Sequence, residues 1–127
     1  MAFENDLGLR VSRKHRDGVT VELPLGPGLL NSTGVLHGGI TASIAEEAAW
    51  HAIQHHFHED RQCTTTELKV NFLRPIAGKK VTARAYLLRA GKALCVTRID
   101  VFDEKRRLAA VAIVTYYMLP SVEVKSG

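Results

Sequence analysis

Apolar and polar positions alternate along most of this chain, and one long stretch breaks the alternation. Leu9, Val11 and then Val19, Val21 and Leu23 alternate with polar residues around Asp17-Gly18, a favoured tight-turn pair. Residues 9–24 therefore read as a β-hairpin. Pro24 ends its second strand, and residues 24–28 read as a loop. A few-residue helix around Glu4-Asn5-Asp6, ahead of the first strand, is also expected. From Ile40 to His56 the period changes to that of a helix. At 100° per residue Ile40, Ala42, Ile44, Ala45, Ala48, Ala49, Ala52 and Ile53 fill an arc of roughly 220°. That arc is wider than a one-sided surface helix needs, and alanine permits close backbone approach. Such a helix is expected to be wrapped by a sheet or shared with another subunit.

Alternation returns in residues 63–73, where Leu68, Val70 and Phe72 interleave with Glu67, Lys69 and Asn71. Residues 80–89, 93–102 and 107–118 read as further strands, separated by Ala90-Gly91-Lys92 and by the charged turn Asp103-Glu104-Lys105-Arg106. The expected fold class is α+β: two short strands, one long helix, then a meander of long antiparallel strands curled around the helix.

Composition narrows the class. The chain has 127 residues, 46% apolar and 24% charged, within the range of one globular domain. A domain of this size buries about two-thirds of its unfolded surface, so oligomerisation would help it. No run approaches the roughly 18–20 apolar residues of a membrane span. The first ten residues lack the apolar core of a secretory signal. Cys63 and Cys95 lie in strand-like runs and read as buried free thiols. Together these point to a cytoplasmic protein.

Charge is unevenly distributed. Residues 1–62 hold five Lys/Arg against eight Asp/Glu, and residues 63–127 hold twelve against five. The basic residues alternate along strands with few aromatics between them, so nucleic acid is not the expected partner. His51 and His55 have an i, i+4 spacing that a metal can use, but no Glu follows His51 as in a zincin motif. Histidines at a helix C-terminus are favoured by its dipole, and no metal is expected.

The segment Asn31-Ser32-Thr33-Gly34-Val35-Leu36-His37-Gly38-Gly39 carries the candidate chemistry. Two glycines before a helix let backbone amides approach a ligand, and a helix N-terminus leaves N–H groups unpaired. Such a site suits an oxyanion or a polarised carbonyl. Glu46 follows two turns later at the boundary of the apolar arc, and Glu47 is expected to point toward the polar face. The same residues also fit a plain tight turn followed by a solvated glutamate.

The pattern Asn31-x-x-Gly34-x-x-His37-Gly38-Gly39, then six residues, Glu46 and Ala48, resembles the PaaI-like acyl-CoA thioesterases of the hotdog-fold superfamily. So do Val70-Asn71-Phe72-Leu73-Arg74-Pro75-x-x-Gly78, Gly91-Lys92 and Ala110-x-Ala112. The likeness spans residues 9–118. It implies a long central helix wrapped by a curved sheet, and a homo-oligomer, a dimer or a dimer of dimers, with sites at the subunit interface. It implies an acyl-CoA substrate and no separate cofactor, since a thioester is already an activated acyl group. The Gly38 amide would hold the thioester oxygen, and Glu46 would reach in from the partner subunit as general base or nucleophile. Asn31 would help place water or carbonyl, and His37 would support the loop or the sulfur. Thr65 would orient water, with Thr64 and Thr66 as rivals. Gly39, Arg74, Gly91 and Lys92 are the expected contacts to coenzyme A. Two positions depart from the pattern. Relatives more often carry Asp at Glu46, and some carry a small polar residue at Trp50, which either floors the acyl pocket or packs at the interface. Other activities of the same fold are an enoyl-thioester hydratase or dehydratase and a non-catalytic acyl-CoA binder.

Overall fold

The computed structural model describes residues 8–58 and 61–120. The short helix expected around residues 4–6 lies outside them. Strands β1 (Arg10–His15) and β2 (Gly18–Pro24) form the expected hairpin, with His15 opposite Gly18. The turn residues are Arg16-Asp17, one place earlier than the Asp17-Gly18 pair. Gly18 opens β2 instead, because a Cβ there would overlap the Ala85 carbonyl of the next strand.

A single 3-10 turn at Pro27–Leu29 and a Leu30–Leu36 bridge lead into helix α1 (Gly38–Phe57). The helix ends where His58 adopts a left-handed conformation, φ 55°, and its amide bonds the Gln54 carbonyl. Four strands follow: β3 (Cys63–Phe72), β4 (Lys80–Ala90), β5 (Leu94–Phe102) and β6 (Leu108–Met118). All six make one antiparallel sheet in the order β1-β2-β4-β5-β6-β3. The meander is therefore β4-β5-β6. Strand β3 does not pair with the strand that follows it but crosses to the far edge beside β6.

Alternation decides which residues meet the helix. Val19, Val21 and Leu23, then Val81, Ala83 and Ala85, then Ile99 and Val101, then Ala110, Ala112 and Val114 are all buried. They face Ile44, Ala45, Ala48, Ala49, Ala52 and Ile53 of α1, which packs on β2, β4 and β5. Small residues on both layers bring helix and sheet together. Burial extends further round the helix than the arc predicted. Glu47 is 5% exposed and does not join a polar face.

Strand β3 is the less protected edge. Its residues Leu68 and Phe72 pair with Val114 and Ala110, so they point to the helix side of the sheet. They lie beyond the helix's cover and remain 39% and 56% exposed. Cys63 is half-buried and Cys95 fully buried, both as free thiols, and burial pushes both thiols up from their ordinary value.

Candidate active site

The loop before α1 is built on Asn31. Its carboxamide oxygen accepts bonds from the Thr33 amide (2.9 Å), the Thr33 hydroxyl (2.7 Å) and the Val35 amide (3.1 Å). Its own amide donates to the Val35 carbonyl at 2.7 Å. Asn31 therefore closes the loop through its oxygen, leaving only its NH2 group for a ligand. The Leu36 amide bonds Ile76 and the His37 amide bonds Leu29, anchoring the loop on both sides. His37 is the N-cap residue; its carbonyl accepts from Ile40 and Thr41, while its exposed ring makes no capping bond.

Gly38 and Gly39 are the first two residues of the helix, so their N–H groups have no intrahelical partner. Both are exposed. Gly38 opens on a cleft of about 420 Å³ lined by Val35, Leu36, Thr41, Phe72 and Arg74. A Cβ on Gly38 would stand 3.4 Å from the Phe72 ring, the near limit of ordinary contact. Anions and polarised oxygens are favoured there by the helix dipole.

Glu46 lies on the flank of α1 toward β3. The Thr65 hydroxyl donates to its carboxylate at 2.9 Å, and neither Thr64 nor Thr66 does so. The irregularity between Thr65 and Glu67 sits beside this contact. Tyr116, directly opposite Thr65 on β6, donates its phenol proton to the Glu46 backbone carbonyl at 2.9 Å. Burial pushes that phenol far above its ordinary value, with the Glu46 charge adding to the effect. Tyr116 was not among the expected site residues. Its signal was available, because Ala110, Ala112, Val114 and Tyr116 share one face of β6.

Within one chain these parts do not all converge. Glu46 is eight residues from Gly38, about 12 Å along the helix axis. Both lie toward the β3 edge. Arg74 is beside Gly38, whereas Gly91 and Lys92 line a separate cleft with Phe57 and Arg61 at the other end of α1. A helix of this length separates its ends by about 28 Å, so one protomer cannot hold a single phosphate between Arg74 and Lys92. Trp50 is half-buried, its ring edge-on to His51 at 5.0 Å. Among the described residues no group of three His, Cys, Asp or Glu is placed to hold a metal. The His55 ring bonds the His15 carbonyl (2.8 Å), and the His15 ring bonds the Thr20 hydroxyl (2.7 Å).

Residues 33–110 match the family model described as the thioesterase superfamily. The chain belongs to the thioesterase superfamily. The medium/long-chain acyl-CoA thioesterase YigI of Escherichia coli is 29% identical over 91% of this chain and 84% of its own length. A thioesterase from Haemophilus influenzae of known structure is 28% identical, with a TM-score of 0.88 over 97% of this chain and 86% of its own. A conserved protein of Pseudomonas aeruginosa is 30% identical, with a TM-score of 0.83 over 94% of each chain.

Membership of the superfamily accounts for the architecture: one long helix held by a six-stranded antiparallel sheet is the hotdog fold of these structures. It also makes the chain a member of a family of esterases and thioesterases. Chemically, the residues offer an unpaired amide pair at a helix N-terminus and a carboxylate oriented by a hydroxyl. Those are the two components that acyl transfer to water requires. No helix among the described residues is long and apolar enough to cross a membrane.

Proposed function

We propose that this protein hydrolyses an acyl-CoA thioester to a free carboxylic acid and coenzyme A. The observation that carries the proposal is Glu46, fixed by Thr65 on the same β3-side flank where the Gly38 amide is exposed. Water attacks the thioester carbon as Glu46 takes its proton. The oxyanion that forms is held by the Gly38 amide. The carbon–sulfur bond then breaks and the proton passes from Glu46 to the leaving thiolate. Direct attack by the Glu46 carboxylate, followed by hydrolysis of the anhydride, is the covalent version of the same assignment.

The 12 Å between Gly38 and Glu46 supports a site built from two subunits. A twofold axis beside the β3 edge would bring Gly38 of each subunit toward Glu46 of the other and create two equivalent sites. It would also cover Leu68 and Phe72, which α1 leaves exposed. Arg74 beside Gly38 and Lys92 at the far end then serve coenzyme A phosphates from different subunits.

The test is thiol release from a panel of aryl, short-, medium- and long-chain acyl-CoAs by the wild type and by Glu46→Gln. The expected result is turnover of at least one class, lost in the variant. Enoyl-CoA hydration without thiol release assigns a hydratase instead, saturable binding without turnover assigns a carrier, and an active Glu46→Gln removes Glu46 from the role of base.

A further inference from the structure

A cleft of about 620 Å³ lies on the face of the sheet turned away from α1, at the edge opposite β3. Strand register builds it. Thr20 on β2 stands between Arg13 of β1 and Arg84 of β4. Glu22, two residues on, stands between Arg10 and Thr82, with Phe102 of β5 beyond. Val21, Ala83 and Val101 alternate with these residues and are buried under the helix, so both rows face outward. A bulge between Val11 and Arg13 adds Ser12 to the same wall.

Five cations line the cleft: Arg10, Arg13, Lys80, Arg84 and Arg106. The carboxylates beside them are already engaged. Glu22 is held between Arg10 at 2.8 Å and Lys80 at 3.8 Å. Asp103 accepts the Lys105 and Arg107 amides and the Arg107 guanidinium, and Glu104 accepts the Lys79 amide at 3.1 Å. Arg84 forms the floor, its side chain 16% exposed, stacked on the Tyr86 ring at 4.1 Å and bonded to Asp17 and the Ala85 carbonyl. Those two bonds leave further N–H groups of its guanidinium free. Among the described residues, Arg13 and Arg106 have no carboxylate partner. Arg106 also sits at φ 62°, a left-handed position that favours glycine. Its amide bonds the Asp103 carbonyl at 2.9 Å, which holds the turn in that shape. An arginine without a partner, kept at a costly backbone position over a cleft floored by a fixed arginine, marks an anion site.

We propose that this cleft binds a nucleotide, its phosphate between Arg13, Arg84 and Arg106 and its base against the Phe102 ring. Guanidinium groups match phosphate oxygens in pairs, and an aromatic face stacks any base, so the site selects phosphate charge and size rather than base identity. The volume is that of a small-molecule site. The cleft lies across the sheet from the β3 edge, so a dimer formed at that edge leaves it open. The ligand is a free nucleotide or the nucleotide end of coenzyme A.

The test is calorimetric titration of ADP into the wild type, Arg13→Gln, Arg106→Gly and the double variant Arg74→Gln with Lys92→Gln. One ADP per chain is expected in the wild type, with the same affinity in the double variant. Arg13→Gln and Arg106→Gly each weaken it about tenfold, the loss of one charge-assisted contact. Arg106→Gly relieves the left-handed position, so it folds. Inorganic phosphate binds more weakly than ADP, because it meets no ring. Competition reads the source. CoA that displaces ADP at a lower concentration than ADP itself requires assigns the cleft to coenzyme A; CoA that does not assigns it to a free nucleotide. No saturable ADP binding, equal affinity in the wild type and both single variants, loss of ADP binding in the double variant, or phosphate binding as tight as ADP would overturn the inference.

Discussion

Replacing Gly38 by proline removes one hydrogen from the proposed oxyanion site and changes little else. Gly38 is the first residue of α1, the one helical position where proline is favoured. His37 before it sits at φ −59°, ψ 134°, the extended conformation that a following proline requires. The new Cβ would approach the Phe72 ring at 3.4 Å, close to an ordinary van der Waals contact, so only a slight adjustment is needed. The folded state is therefore retained. Loss of one preorganised oxyanion donor costs about 2.7–4 kcal/mol of transition-state stabilisation, a 10²–10³-fold fall in kcat. Gly38→Ala presents the same Cβ to Phe72 but keeps the N–H, and is expected to retain most activity. The assay is steady-state thiol release with circular dichroism as a folding control. A folded Gly38→Pro with kcat within threefold of wild type would refute the oxyanion assignment.

Three further outcomes follow from the same structure. Gly18→Ala forces a methyl into the Ala85 carbonyl of the neighbouring strand, where both strands are held by neighbours; a cost of about 3 kcal/mol or more should lower the melting temperature by roughly 10 °C, and an unchanged melt would contradict the packing. The Asp103 carboxylate accepts the Arg107 amide, the Arg107 guanidinium and the Lys105 amide, and these hold it below its ordinary value. Its folded-state value being depressed, its stabilisation is complete above the unfolded carboxylate range, about pH 4, and is lost as pH falls through the folded value. Melting temperature should accordingly drop more steeply below pH 4 in the wild type than in Asp103→Asn, and parallel curves would contradict this. Neutralising Arg74 and Lys92 should raise KM for acyl-CoA far more than for a truncated pantetheine thioester; equal effects would return both to solvated surface.

What could be read from the sequence was what has a local cause. Helix and strands follow from spacings of 3.6 and 2 residues, so α1 and all six strands were legible within a few positions. The place of β3 was not. Its pairing with β6 joins residues such as Thr65 and Tyr116, far apart in the chain, and no local pattern encodes that partner. Alternation along β6 gives the face of Tyr116, but not that Thr65 and Glu46 stand opposite it. Glu46 and Glu47 differ by 100° on the helix, and the angle alone cannot say how far the sheet reaches round each flank. Glu47 is buried, although the arc placed it on the polar side. Arg74 and Lys92 looked alike as turn cations, but the helix between them puts them at opposite ends of one protomer.

The claim on which the rest depends is that Gly38 and Glu46 act together from different subunits. Mixing two inactive proteins tests it directly. Gly38→Pro and Glu46→Gln, co-expressed with different tags, form heterodimers in which one site carries both lesions and the other neither. At equal amounts half the dimers are mixed and half of their sites are intact, so about a quarter of wild-type thiol release should return. Heterodimers isolated through both tags that release no more thiol than either parent would contradict the account.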